Sequence, residues 1–208
     1  MELPDALPFI RKRIEENPWL MGINWMALMP DSISAEWITS TDQLYENLVV
    51  FSHRFVGDGV DLKSRMYDGA VPNGLFRIFS IGYLAGNIAN GGLEQYFSNA
   101  LAVGQDGFLI CKAIEAAKVM GIVEVTKILT EAIVAYKEFL PSAVVAAAGL
   151  EGHDARAAIS FDDIPETVVD RLEELDLEFD SLRRSWISKI EVYVRSHTAA
   201  FVYEPPEK

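Results

Sequence analysis

The segment N-G-G-L-E-Q-Y-F-S-N, residues 90–99, holds the side chains best suited to bind a small polar ligand. Gln95 and Asn99 are four residues apart, so both amides lie on one face of a helix. Each amide offers donors and an acceptor, and together with Asn90 and Tyr83 they could line a pocket. Such a pocket would bind a small polar molecule or support an enzymatic reaction.

The same segment also fits a structural joint between two helices, and this interpretation is favoured. Gly91 or Gly92 can adopt a positive φ and turn the chain sharply. Asn90 can cap the following helix with its side chain. Tyr96 points away from the amides and is expected to anchor the core. Buried amides would then bind the backbone of the turn instead of a ligand.

Other residue types that support catalysis or metal binding have no suitable spacing in this sequence. The three histidines, His53, His153 and His197, are far apart and match no metal-ligand pattern. Cys111 is the single cysteine and has no neighbouring Cys or His, which indicates a small core residue. The sequence therefore predicts no metal and no cofactor, and it favours a non-enzymatic protein.

The charge of the chain is strongly negative and unevenly distributed. The 208 residues include 31 acids and 18 bases, for a net charge of −13. Residues 151–180 alone carry eleven acids and two bases. An acidic surface repels nucleic acid and membranes and attracts basic proteins. The sequence thus predicts a basic protein partner, with no direct binding to nucleic acid or membrane; the alternative is that the charge only maintains solubility.

Part of this negative charge falls into a row on one predicted helix. Its acids recur every three or four residues, opposite an apolar seam formed by Leu172, Leu175 and Phe179. We interpret them as a partner-binding acidic face, formed by Asp162, Asp163, Glu166, Asp170, Glu173, Glu174 and Glu178.

Helical periodicity dominates the chain, which predicts an all-α fold with a single domain of about seven to nine helices. One helix is predicted over residues 73–89, and after the joint a second helix continues to about residue 103. A late apolar seam runs over residues 172–194 and is expected to break once near Ser181. With one cysteine and no signal-peptide pattern at its N-terminus, the sequence predicts a cytoplasmic protein.

Three regions are predicted along the chain. Residues 1–38 form an irregular N-terminal segment packed on the domain, residues 39–200 form the helical domain, and residues 201–208 form a flexible tail. Residues 40–43 have the form of a capping box, which would begin a helix with Ser40 as its N-cap.

The pattern N-G-G-x-x-Q-Y-F-x-N resembles the signature of a bacterial all-helical family that includes the Neisseria DNA-mimic protein. Further similarity lies in L-E-E-L-D-L-E-F-D-S-L, residues 172–182, and V-Y-V-R-S-H, residues 192–197, so that the resemblance covers roughly residues 70–197. It implies an all-α fold, a surface that imitates duplex DNA, a homodimer, and a DNA-binding repressor as partner.

Imitation of duplex DNA requires a high density of carboxylates. The duplex carries one charge per about 1.7 Å of its axis, which a single helical row cannot match. A second row would have to come from a dimer partner or from Asp162, Asp163, Asp176 and Asp180. Three alternatives stay open: an immunity-type inhibitor of a basic toxin, a small-ligand or enzymatic site at the Asn-Gly-Gly joint, and a scaffold subunit whose tryptophan-rich N-terminal segment makes the contacts.

Overall fold

The computed structural model describes residues 30–52, 71–103, 107–150 and 164–205. Within these ranges every regular element is helical, and the β-structure is limited to an isolated bridge. The all-α class is therefore confirmed, and the described residues form eight α-helices: α1 (Ala35–Ser40), α2 (Leu44–Ser52), α3 (Asn73–Val103), α4 (Phe108–Val119), α5 (Val123–Tyr136), α6 (Ser142–Ala147), α7 (Glu166–Ser181) and α8 (Arg183–Ser196).

The chain divides into two compact units, residues 1–79 with 190–208, and residues 80–189. In the first unit, the end of α8 stabilises the ends of two short helices. The guanidinium of Arg195 donates to the carbonyls of Ile38, at 2.7 Å, and Thr41, at 2.8 Å, at the C-terminus of α1. The carboxylate of Glu191 accepts from the backbone N–H of Tyr45 at the start of α2, at 3.3 Å. Both charges have the sign that the helix dipole favours.

The predicted capping box at residues 40–43 is wrong. Ser40 is the last residue of α1, and its hydroxyl donates to the carbonyl of Glu36 at 2.8 Å. Gln43 has a φ of 51°, and α2 begins only at Leu44. A serine hydroxyl can bind a nearby backbone carbonyl as readily as it caps a helix. The local sequence pattern therefore could not show whether Ser40 caps the following helix or binds a carbonyl within the preceding one.

The end of the described chain packs onto its own unit. Ile33 and Tyr203 exchange two backbone hydrogen bonds of 2.9 Å, and Phe201 is fully buried. α1 spans the boundary predicted at residue 38, and residues 1–29 lie outside the described ranges. The division into segment, domain and tail stays a prediction.

The second unit is built around α5, which packs along α7 and against α4. The predicted apolar seam forms the inner side of α7 and of the start of α8, since Leu172, Leu175, Phe179 and Trp186 are all buried. The break expected near Ser181 is confirmed, because α7 ends at that residue and α8 begins at residue 183. A buried seam on α7 leaves the opposite side of this helix to the solvent.

Candidate functional site

The Asn-Gly-Gly segment breaks α3 into two halves. Gly91 has φ −175° and ψ 24°, and Gly92 has φ 77° and ψ −175°. The conformation of Gly92 is essentially restricted to glycine, as the sequence predicted for one of this pair. A β-carbon on Gly92 would also come within 3.0 Å of an oxygen of Asp176. Both the backbone and the close approach of α7 therefore require glycine at residue 92.

A carboxylate from α7 caps the second half of α3. Asp176 Oδ1 accepts a hydrogen bond from the backbone N–H of Leu93 at 2.9 Å, across 83 residues of sequence. The predicted cap, Asn90, is exposed, and Asp176 takes its place at the N–H of Leu93. A carboxylate is stabilised at a helix N-terminus by its charge as well as its hydrogen bond, which favours Asp176 over an amide.

The amides of the motif are distributed over separate contacts. Asn99 Nδ2 donates to Asn87 Oδ1 at 2.6 Å, and Asn87 Nδ2 donates to the carbonyl of Tyr83 at 2.8 Å. Gln95 lies against Gly91, whereas Asn99 itself is exposed. The structure thus joins Asn99 to Asn87, across the break in α3. Sequence reasoning missed Asn87. The available signal was that Asn87 lies four residues after Tyr83, which places the two on one face of the helix.

The aromatic residues of the motif belong to the core. Tyr96 is fully buried, and its hydroxyl donates to the carbonyl of Leu109 at 3.4 Å. Its ring centroid lies 6.2 Å from that of Tyr83. Burial raises the pKa of both tyrosines, and for Tyr83 a hydrogen bond with Asn87 partly offsets it. Both phenols are therefore neutral structural groups at neutral pH.

Asp176 was also missed as a residue of the joint. The sequence analysis placed it in a possible second row of surface charge, but the structure turns it inward. It lies four residues after Leu172 and three before Phe179, within the apolar stripe of α7. The position of a carboxylate within an apolar stripe was the signal that Asp176 contacts another part of the protein and does not lie on the solvent-exposed side of α7.

The predicted acidic face follows the outer side of α7. Glu166, Asp170, Glu173 and Glu174 are exposed, and Glu178 is half-buried. Asp162 and Asp163 lie outside the described residues. Their membership of the face stays a prediction.

Two basic residues neutralise one edge of this face. Arg171 donates to Glu174 at 2.6 Å and also binds Glu131 of α5. Lys127 of α5 lies 3.2 Å from Glu178. In the described part of the chain Glu166, Asp170 and Glu173 have no basic partner. The face therefore keeps its strongest negative charge along the line of these three residues.

No group of three or more His, Cys, Asp and Glu residues in the described chain could hold a metal ion. No described helix is both long enough and apolar enough to cross a bilayer.

The fold and the site define an all-α protein in which one helix presents a row of carboxylates and is fixed to a glycine joint. Residues 69–197 match the family model described as DMP19-like protein, and the chain belongs to this family. This confirms the predicted membership of the DNA-mimic protein family. The specific residues of its signature stay a prediction. No curated protein and no solved structure matches the chain.

Proposed function

We propose that this protein binds a basic DNA-binding protein through the acidic face of α7 and thereby keeps it from DNA. The observation that carries the proposal is the exposed line of Glu166, Asp170 and Glu173, which no basic side chain of the described chain neutralises. Membership of the DNA-mimic family and the net charge of −13 support the same function. A basic partner would associate rapidly because of the long-range attraction.

The density of the carboxylates supports imitation of one DNA strand. At about 1.5 Å per residue, residues 166–180 of α7 extend over about 21 Å. One strand of B-DNA carries about six phosphates over that length, at about 3.4 Å each. Six acids of α7 lie at or near its surface. Glu166, Asp170 and Glu173 have no basic partner in the described chain, whereas Glu174, Glu178 and Asp180 lie beside Arg171, Lys127 and Arg183, so the helix matches the strand in its number of acid groups and not in net charge. Asp176 is turned inward, and Asp162 and Asp163 lie outside the described residues. A second copy of the chain would supply the second strand, and the homodimer stays a prediction.

An exposed leucine interrupts the acidic face. Leu177 is 75% exposed and lies between Glu173 and Asp180 along α7. A phosphate backbone offers no comparable apolar group. The proposed partner should therefore combine basic residues with an apolar recess, and contact with Leu177 would distinguish this protein from DNA.

We expect Leu177→Ser to weaken partner binding about five- to tenfold while leaving stability nearly unchanged, because burial of an exposed leucine at an interface contributes about 1–1.5 kcal/mol. The measurement is the Kd by calorimetry for the partner protein, once it has been isolated by the capture experiment described below. Val123→Ser is the control, since Val123 is 71% exposed but lies at the start of α5. Equal affinities of the two variants would show that the partner does not contact Leu177.

The proposal is tested by capture from a lysate of the source cell. The baits are the intact protein and a variant with Glu166→Gln, Asp170→Asn, Glu173→Gln and Glu174→Gln, each eluted with a salt gradient. The intact protein should retain a basic DNA-binding protein that elutes at moderate salt, because salt screens the attraction between exposed charges. A toxin without DNA-binding activity would favour the immunity-type alternative. Retention of the same proteins by both baits would contradict the proposal.

A further inference from the structure

The contact between α7 and the joint of α3 depends on one charged group. Asp176 Oδ1 accepts from Leu93 N–H at 2.9 Å, and its second oxygen lies against Gly92. Only glycine leaves room for this carboxylate at the break in the helix. Any movement of α7 away from the joint would therefore hydrate Asp176 and leave the N–H of Leu93 without its acceptor.

Opposing forces act on the Asp176 carboxylate in this position. Partial burial removes it from water, and Glu173 lies three residues earlier on the same helix. Both disfavour the charged form, while the hydrogen bond from Leu93 and the N-terminal end of the second half of α3 favour it. The net result raises the pKa of Asp176 to about 6, with burial as the largest cause.

The basic side chains that line the side of α7 facing α5 are engaged with other carboxylates. On the facing side of α5 the ion pairs are Glu124 with Lys189, Lys127 with Glu178, and Glu131 with both Lys127 and Arg171. On α3, the nearest ionisable residue to the cap is Glu94, which follows Leu93. None of the basic side chains contributes to the pKa of Asp176. Among the described residues, neutralisation of Asp176 in the closed contact therefore depends on a proton.

We propose that Asp176 makes the contact between α7 and the α3 joint proton-dependent, so that the acidic helix is held more tightly at mildly acidic pH than at neutral pH. The closed contact binds a proton more strongly than the open one, in which Asp176 returns to its ordinary aqueous pKa. Opening therefore releases a proton and is favoured as the pH rises through about 6. The protonated carboxyl still accepts from Leu93 through its carbonyl oxygen. This inference does not depend on the partner or on the proposed function.

The direct test is hydrogen exchange at the Leu93 amide, whose described acceptor is Asp176. Between about pH 5 and about pH 7.5, after correction for intrinsic exchange, we expect protection in the intact protein to fall about fivefold. Full linkage between pKa values of about 6 and about 4 would give about tenfold, and the partial exposure of Asp176 reduces it. Asp176→Asn should keep the same protection throughout, because its amide oxygen accepts from Leu93 and has no proton to lose. Asp170→Asn, on the exposed side of α7, should behave like the intact protein.

The inference is overturned if protection of Leu93 in the intact protein is independent of pH, or if Asp170→Asn removes the dependence as completely as Asp176→Asn. Should Asp176→Asn fail to fold, the carboxyl carbon shift of Asp176 in the intact protein decides the question. A titration midpoint near about 6 supports the inference, and one at or below about 4 overturns it.

Discussion

Gly92→Val is expected to reduce the free energy of unfolding by about 2–5 kcal/mol, a large part of the stability of a domain of this size. A valine in the backbone conformation of Gly92 costs about 1–3 kcal/mol. Its side chain would also displace Asp176 and leave the N–H of Leu93 uncapped, for about a further 1–2 kcal/mol. Urea unfolding followed by circular dichroism measures the difference.

The matched control is Gly121→Val. Gly121 has a φ of 68°, similar to that of Gly92, but apart from its own stretch of backbone no described residue lies within 4 Å of the position its β-carbon would occupy. This variant should lose only the cost of the left-handed conformation, about 1–2 kcal/mol. Equal losses in the two variants would show that the contact with Asp176 contributes nothing. A Gly92→Val protein that unfolds like the parent would refute the joint itself.

Neutralising the acidic face should remove partner binding without damage to the fold. In the variant carrying Glu166→Gln, Asp170→Asn, Glu173→Gln and Glu174→Gln, we expect affinity to fall at least about 100-fold, since each interfacial charge contributes about 1 kcal/mol or more. The substituted side chains are exposed, and the pair of Glu174 with Arg171 contributes little to stability. The measurements are the Kd for the captured partner and the midpoint of urea unfolding.

A second variant separates the acidic face from the total charge. Four exposed acids elsewhere are changed to the corresponding amides, so that the net charge changes by the same amount: Glu36, Asp42, Glu138 and Glu204. This control should keep most of its affinity and lose only part of the association rate. Unchanged affinity in the α7 variant, or equal losses in both, would reject the acidic face as the binding surface.

Local patterns predicted the parts of the fold that depend on neighbouring residues. The apolar seam of α7 and α8 has helical spacing, and it predicted both the buried side and the break at Ser181. The pair of glycines predicted a positive φ, which Gly92 adopts. In each case the residues that determine the structure lie within a few positions of one another.

Contacts between distant segments were beyond the sequence. Asp176 caps Leu93 across 83 residues, so the periodicity of α7 marked it as unusual but could not identify its partner. Asn90 was predicted as the cap because its residue type and position suit that role, but the carboxylate of Asp176 on α7 binds the N–H of Leu93 instead. The ion pairs that reduce the negative charge of the acidic face also connect α5 to α7, as in the pair of Lys127 with Glu178. These pairings exist only after the helices have packed.

The most direct test of the central claim is a competition between this protein and DNA for the captured partner. A fluorescent duplex bound by the partner is titrated with the intact protein, and anisotropy reports the release of the DNA. We predict complete displacement by the intact protein and none by the variant with the neutralised α7 face. A stable complex containing all three components would contradict the account, because a protein that occupies the DNA-binding surface cannot bind together with DNA.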